Sequence, residues 1–198
     1  PVTPAEPEAG AYAERLWSWL DALGVKTPVV LVGHSLGALM AARAALLRPQ
    51  VARVLLLSPA RGYGDAPADE RERMVAGRLG NLQKLGPAGM AQARAAAMLS
   101  PRATPEMVEQ VRRTMAAIDP SGYTQAEHLL GQGRLLHDAG QLRIPVAVAS
   151  GEADTITPPA ACDEVAAAAG VRRLSLGAVG HACALEAAQA VIDLLQAP

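Results

Sequence analysis

Residues 28–47, PVVLVGHSLGALMAARAALL, run a continuous β-branched apolar stretch into a glycine-flanked turn and out again as an Ala- and Leu-rich helix. No other stretch constrains the fold as tightly. A segment apolar at every position, such as VVLV, reads as a strand buried on both faces rather than a half-exposed one. Strands of that kind belong to parallel sheets covered by helices.

The rest of the chain repeats the alternation. Tyr12–Leu23 places Leu16, Trp19, Leu20 and Leu23 at helical spacing, and Gly24 ends the helix. After a helix over 36–47 and a second strand over 54–57, the pattern changes. From Arg61 to Leu142 charges and helix formers dominate, and the spacing predicts helices over 68–85, 87–99, 105–117 and 122–137. Gly86-Pro87, Ser100-Pro101 and Asp119-Pro120 separate them. Strand character returns in IPVAVAS (144–150), followed by a helix over 159–169, a strand over 172–176 and a helix over 184–196. The expected fold is therefore α/β, a parallel sheet of about four strands with helices on both faces and an inserted helical cap. Residues 1–60 and 143–198 would form the core and 61–142 the cap.

Composition excludes several function classes. Lys and Arg number 18 against 19 Asp and Glu, giving a net charge of −1, so a phosphate-binding surface for nucleic acid is not expected. At 51% hydrophobic residues, disorder is not expected either. The longest apolar stretch, Val29–Leu47, is interrupted by His34, Ser35 and Arg43, so a membrane span is not expected. Cys162 and Cys183 lack metal-ligand spacing and read as two buried thiols in a reducing compartment. Neither a metal nor an organic cofactor is expected. The 42 Ala, 16 Arg and 2 Lys resemble GC-rich coding, which suggests a bacterial source. The chain opens on Pro1 with no apolar leader in PVTPAEPEAG, and the expected location is cytoplasmic.

Gly33-His34-Ser35-Leu36-Gly37 fits G-x-S-x-G between a predicted strand and a predicted helix, the setting of a nucleophile elbow. Such a turn strains the serine backbone, and small neighbours at Gly33 and Gly37 would provide room. The Leu36 N–H, at a helix N-terminus, would face a developing oxyanion. The bland alternative is a serine N-cap after a glycine turn. A serine hydroxyl also needs a base, itself oriented by an acid, in the chain order Ser, Asp or Glu, His. His181, in LGAVGHACALE, follows the last strand; His34 should point away from Ser35, while His128 and His137 fall in the helical insertion. Asp154, in SGEADTITPP, lies in a post-strand loop where backbone N–H groups readily hold a short carboxylate. Glu152 and Asp163 are its rivals. Three strand ends thus carry Ser35, Asp154 and His181 in order.

In these stretches the sequence resembles the α/β-hydrolase superfamily, and more closely its cap-bearing esterase, lactonase and carbon–carbon hydrolase branch. VVLVGHSLGALMAARAALLRP, VARVLLLSP, IPVAVASGEADTITPP and LGAVGHACALEAAQAV carry the resemblance. The stretch GMAQARAAAMLSP with VRRTMAAIDPSGYTQA is similar to the 3-oxoadipate enol-lactonase type. The resemblance implies Ser35 as nucleophile, Asp154 as acid and His181 as base, acting on a small ester or lactone through an acyl-enzyme. Carbon–carbon bond hydrolysis or acyl transfer would use the same three residues; a non-catalytic binding module is the rival from another class. Members usually begin with further strands and a loop supplying a second oxyanion N–H. By that comparison Pro1–Gly10 would lead into the helix before the elbow, the chain would be an N-terminally truncated and inactive fragment, and strand 29–32 would be an edge.

Within the insertion, Met74, Met90, Met98, Met107, Met115 and Tyr123 could line a substrate chamber, although methionines more often fill gaps between helices. Arg71, Arg94, Arg112 and Arg113 could meet a carboxylate, with a solvated helix face the plainer reading.

Overall fold

The computed structural model describes residues 7–196. Most of the Pro1–Gly10 lead-in falls outside them; Ala9 and Gly10 open the first helix. Strands β1 (Val29–His34), β2 (Val51–Leu57), β3 (Val146–Ser150) and β4 (Leu174–Ser175) form a parallel sheet in the order β1-β2-β3-β4. The helices are α1 (Ala9–Ala22), α2 (Gly37–Leu47), α3 (Ala68–Arg94), α4 (Pro105–Ala116), α5 (Pro120–Gln132), α6 (Leu135–Gln141), α7 (Pro159–Ala168), α8 (Cys183–Glu186) and α9 (Ala188–Gln196). The expected α/β class and four-stranded parallel sheet are what the structure contains.

Leu31, Val54, Leu56 and Val148 point from the strands into the larger core, where α1, α2, α6 and α7 pack. The alanines of α2 explain its position: Ala38, Ala42 and Ala44 are fully buried, and short side chains let the helix backbone approach the sheet closely. Trp17 of α1 fills the space behind them, its indole N–H donating to the Ala44 carbonyl at 2.9 Å. At the far side of α2, Arg43 pairs with the buried Asp138 of α6 at 2.6 Å.

On the opposite face Leu55, Leu57 and Ala149 pack against Leu176, Cys183 and Val191, so α8 and α9 cover β2 and β3. That cover stops short of β1, where Val30 and Val32 remain 45% exposed. Burial on both faces thus holds for the C-terminal half of β2 but not for β1, which like β4 is an edge strand of the sheet among the described residues.

Three helix readings change. The span 68–94 breaks at Gly86, whose φ of 63° and ψ of 174° leave the helical region just before Pro87, as the Gly-Pro pair predicts; the second piece ends at Arg94 rather than 99. The single helix expected over 122–137 is instead α5 and α6. Gly133 is extended between them, and the Leu135 N–H donates to the Arg61 carbonyl at 2.9 Å, a contact with a distant loop that local periodicity does not encode. The helix expected over 184–196 is likewise interrupted at Ala187, which has φ −129° and ψ 43°. Helix α3 packs on both α4 and α5, and residues of all three share a cavity with those at the carboxyl edge of the sheet.

Candidate active site

All strands run parallel, so their carboxyl ends lie on one edge, the edge at which open α/β sheets bind ligands. Ser35 follows β1 there. Its φ of 52° puts a non-glycine residue in the left-handed region, a strain of about 1–3 kcal/mol that surrounding contacts must hold. Those contacts are visible: the Ser35 N–H donates to the Leu57 carbonyl at 3.0 Å, and its own carbonyl accepts from the Ala38 and Ala60 N–H groups at 3.1 Å. The two flanking glycines differ. A Cβ at Gly33 would lie 2.6 Å from the Ala38 Cα and the Gly37 oxygen, whereas one at Gly37 would meet nothing within 4 Å. Only Gly33 provides the room expected of both.

Asp154 sits in the loop after β3, 3% exposed, and Oδ1 accepts from the Ile156 and Thr157 N–H groups at 2.9 Å each. Its Oδ2 lies 3.0 Å from Nδ1 of His181, which is 4% exposed in the loop after β4. Burial, the largest influence, pushes the Asp154 carboxyl up. The His181 hydrogen bond and charge, with the Thr157 N–H and Ser58, outweigh it and hold the group at about 2.

Thr157 is buried beside this pair, and no sequence motif marks it. Its hydroxyl lies 2.9 Å from Asp154 Oδ2, 3.1 Å from His181 Nδ1 and 3.0 Å from the Ser58 carbonyl. A hydroxyl has one hydrogen, so it can donate to the Ser58 carbonyl or Asp154 while accepting from His181 Nδ1–H. Ser58, at the end of β2, is the other non-glycine residue with positive φ among the described residues, 43°.

Two further residues brace the His181 loop. Nε2 of His34 lies 2.8 Å from the His181 carbonyl and the rings are 4.8 Å apart. Burial, then the nearby His181, lowers the His34 pKa. Glu186 accepts from the Ser100 hydroxyl at 2.5 Å and from the Ser100 and Gly180 N–H groups at 3.0 and 2.8 Å, tying the loop to the segment before α4. Neither anchor has a sequence signal, because each joins segments far apart in the chain.

Ser35, Leu36, Thr157 and His181 line one cavity of about 380 Å³, closed on its other side by residues of α3, α4 and α5. No hydrogen bond joins the Ser35 hydroxyl to His181 among the described residues. The rivals of Asp154 are engaged elsewhere: Glu152 and Asp163 both pair with Arg173, each at 3.0 Å. Of the expected wall residues, Met90, Met98, Met115 and Tyr123 reach the cavity; Met74 and Met107 do not. Among the four arginines only Arg94 reaches it, while Arg112 and Arg113 pair with Glu109; the unanticipated Arg78 also faces the cavity. Both cysteines are free and buried, with their thiols pushed up by burial. Among the described residues, no group of three or more His, Cys, Asp or Glu could hold a metal ion, and no helix is long and apolar enough to cross a membrane.

Comparison with known proteins agrees with this architecture. The chain superposes on an esterase from Thermogutta terrifontis with a TM-score of 0.85 and 22% identity, over 99% of this chain and 73% of that one. A hydrolase from Pseudomonas aeruginosa PA01 gives 0.79 and 26%, over 100% and 75%. The enol-lactonase of Burkholderia xenovorans LB400 gives 0.82 and 22%, over 98% and 76%. No curated protein matches in sequence. The model of one family, described as serine aminopeptidase, S33, matches residues 16–182. With that match spanning most of its length, the chain belongs to the serine aminopeptidase S33 family of the α/β-hydrolase superfamily.

Proposed function

We propose that the protein is a serine hydrolase of a small carboxylic ester or lactone, with residues 61–142 acting as the cap over its substrate chamber. One observation carries the reading: the buried Asp154–His181 pair opens onto the cavity that holds Ser35 in its strained turn. The esterase and enol-lactonase likenesses favour this substrate class.

In this mechanism His181 Nε2 takes the Ser35 proton as Oγ attacks the carbonyl carbon, and the carbonyl electrons move onto oxygen. The Leu36 N–H stabilises that oxyanion; one such donor contributes about 10²–10³ in turnover. His181 returns its proton to the leaving oxygen as the carbon–oxygen bond breaks. Water, deprotonated by the same imidazole, then releases the acyl group and restores Ser35. Asp154 keeps the proton on Nδ1 and offsets the imidazolium charge. Apo triads often hold the serine–histidine contact loose and tighten it with substrate, which fits a Ser35 hydroxyl not yet bonded to the ring.

Hydrolysis of p-nitrophenyl butyrate and γ-butyrolactone by the full-length protein tests this. Turnover that falls by on the order of 10⁶ in Ser35→Ala is expected. Undiminished turnover in that variant would contradict it.

A further inference from the structure

The cavity beside Ser35 has a second, chemically different end. Glu127 of α5 is 5% exposed and lines the cavity, and its Oε2 makes no hydrogen bond among the described residues. Nε of Arg78 stands 3.5 Å from that oxygen, within reach of an ion pair but without hydrogen-bond geometry. The Arg78 Nη2 donates instead to the Tyr63 hydroxyl at 3.0 Å. Tyr123, pushed up to about 12 by burial and then by hydrogen bonding and charge of the Glu127 carboxylate, completes this end together with Arg94. Oε2 thus has Arg78 and Tyr123 nearby but no aligned donor, and a ligand that supplies one recovers part of the cost of its burial.

The charges select the ligand group. An ammonium would bind Glu127 only by approaching Arg78 and Arg94. A carboxylate would suit the arginines but be forced against the Glu127 oxygen. A neutral hydroxyl meets both demands, its hydrogen going to Oε2 and its lone pairs facing Arg78. We propose that Glu127 and Arg78 form a specificity subsite for a hydroxyl group carried by the substrate away from its reacting carbonyl. The protein therefore prefers hydroxylated esters or lactones to plain alkyl ones. This inference rests on the hydrolase reading of Ser35.

The test compares kcat/KM for p-nitrophenyl ω-hydroxyalkanoates of several chain lengths with the matching alkanoates, ω-aminoalkanoates and dicarboxylic monoesters. At one chain length or more the hydroxylated ester exceeds its alkanoate about tenfold or more, the range of a hydrogen bond to a charged group. That ratio falls to about one in Glu127→Leu, stays high in Glu127→Gln, which keeps an acceptor, and is unchanged in the surface variant Glu109→Gln. Equal rates at every length, a preference for the amino or carboxylate series, or an unaltered ratio in Glu127→Leu would overturn the subsite and leave the hydrolase reading standing. If no ester is hydrolysed, that reading fails first, and calorimetric titration with 1,6-hexanediol and 1-hexanol decides the subsite alone. Binding of the diol that Glu127→Leu abolishes upholds it; equal affinity for the two alcohols overturns it.

Discussion

His34 and His181, 147 residues apart in sequence, meet at the sheet edge: the first bonds through Nε2 to the backbone carbonyl of the second at 2.8 Å. A carbonyl only accepts, so Nε2 of His34 carries the hydrogen. His34 sits next to Ser35, so this bond links the serine turn directly to the loop bearing the imidazole. His34→Ala is expected to lower kcat about ten- to hundredfold with little change in KM, because the imidazole loses its fixed position. Steady-state kinetics on a short-chain ester measures this. A change confined to KM would assign His34 to substrate binding instead.

Thr157 is expected to act on Asp154 and His181 rather than on substrate. Thr157→Val removes the hydroxyl at nearly constant volume and should lower kcat about tenfold, with a displaced acidic limb in the pH–rate profile. Thr157→Ser should restore both. Loss of folding stability with an unmoved pH profile would reduce Thr157 to a packing residue.

The Asp154 carboxyl, held at about 2 in the folded protein against an ordinary value near 3.8, binds fewer protons folded than unfolded. Its stabilisation is therefore fully present above pH about 4 and lost as pH falls toward 2, amounting to about 2 kcal/mol. Urea denaturation across that window should show the loss, and Asp154→Asn should flatten this component. The same variant should cut turnover about 10⁴-fold by releasing the imidazole tautomer.

The two glycines of the turn should separate sharply. Gly33→Ala drives a methyl into the Ala38 and Gly37 backbone at 2.6 Å and should destabilise the protein by about 3 kcal/mol or more. Gly37→Ala opens onto free space at the start of α2 and should be neutral or stabilising by up to about 1 kcal/mol. Thermal melts of both variants measure the contrast, and a shared large loss would contradict it.

Much of this site was legible in the chain because its three principal residues each follow a strand. Strand, turn and helix patterns are local, so they suffice to place Ser35, Asp154 and His181 on one sheet edge. The supports around them were not legible. Thr157, His34 and Glu186 act by closing distances of 24 to 147 residues, and no local period marks such contacts. The fold shows the same division. Gly86-Pro87 announces its own helix break, whereas the break at Gly133 goes with a contact to the distant Arg61 loop. Steric need at Gly33 and its absence at Gly37 are equally invisible in a pattern that contains both.

The central claim is that Ser35 is the nucleophile, and trapping it is the most direct measurement. Full-length protein treated with a fluorophosphonate and digested should carry the adduct on the Ser35 peptide in tandem mass spectra. The Ser35→Ala protein should carry none, and His181→Ala should react far more slowly. An adduct on another residue, or hydrolysis that continues while Ser35 stays unlabelled, would contradict the account.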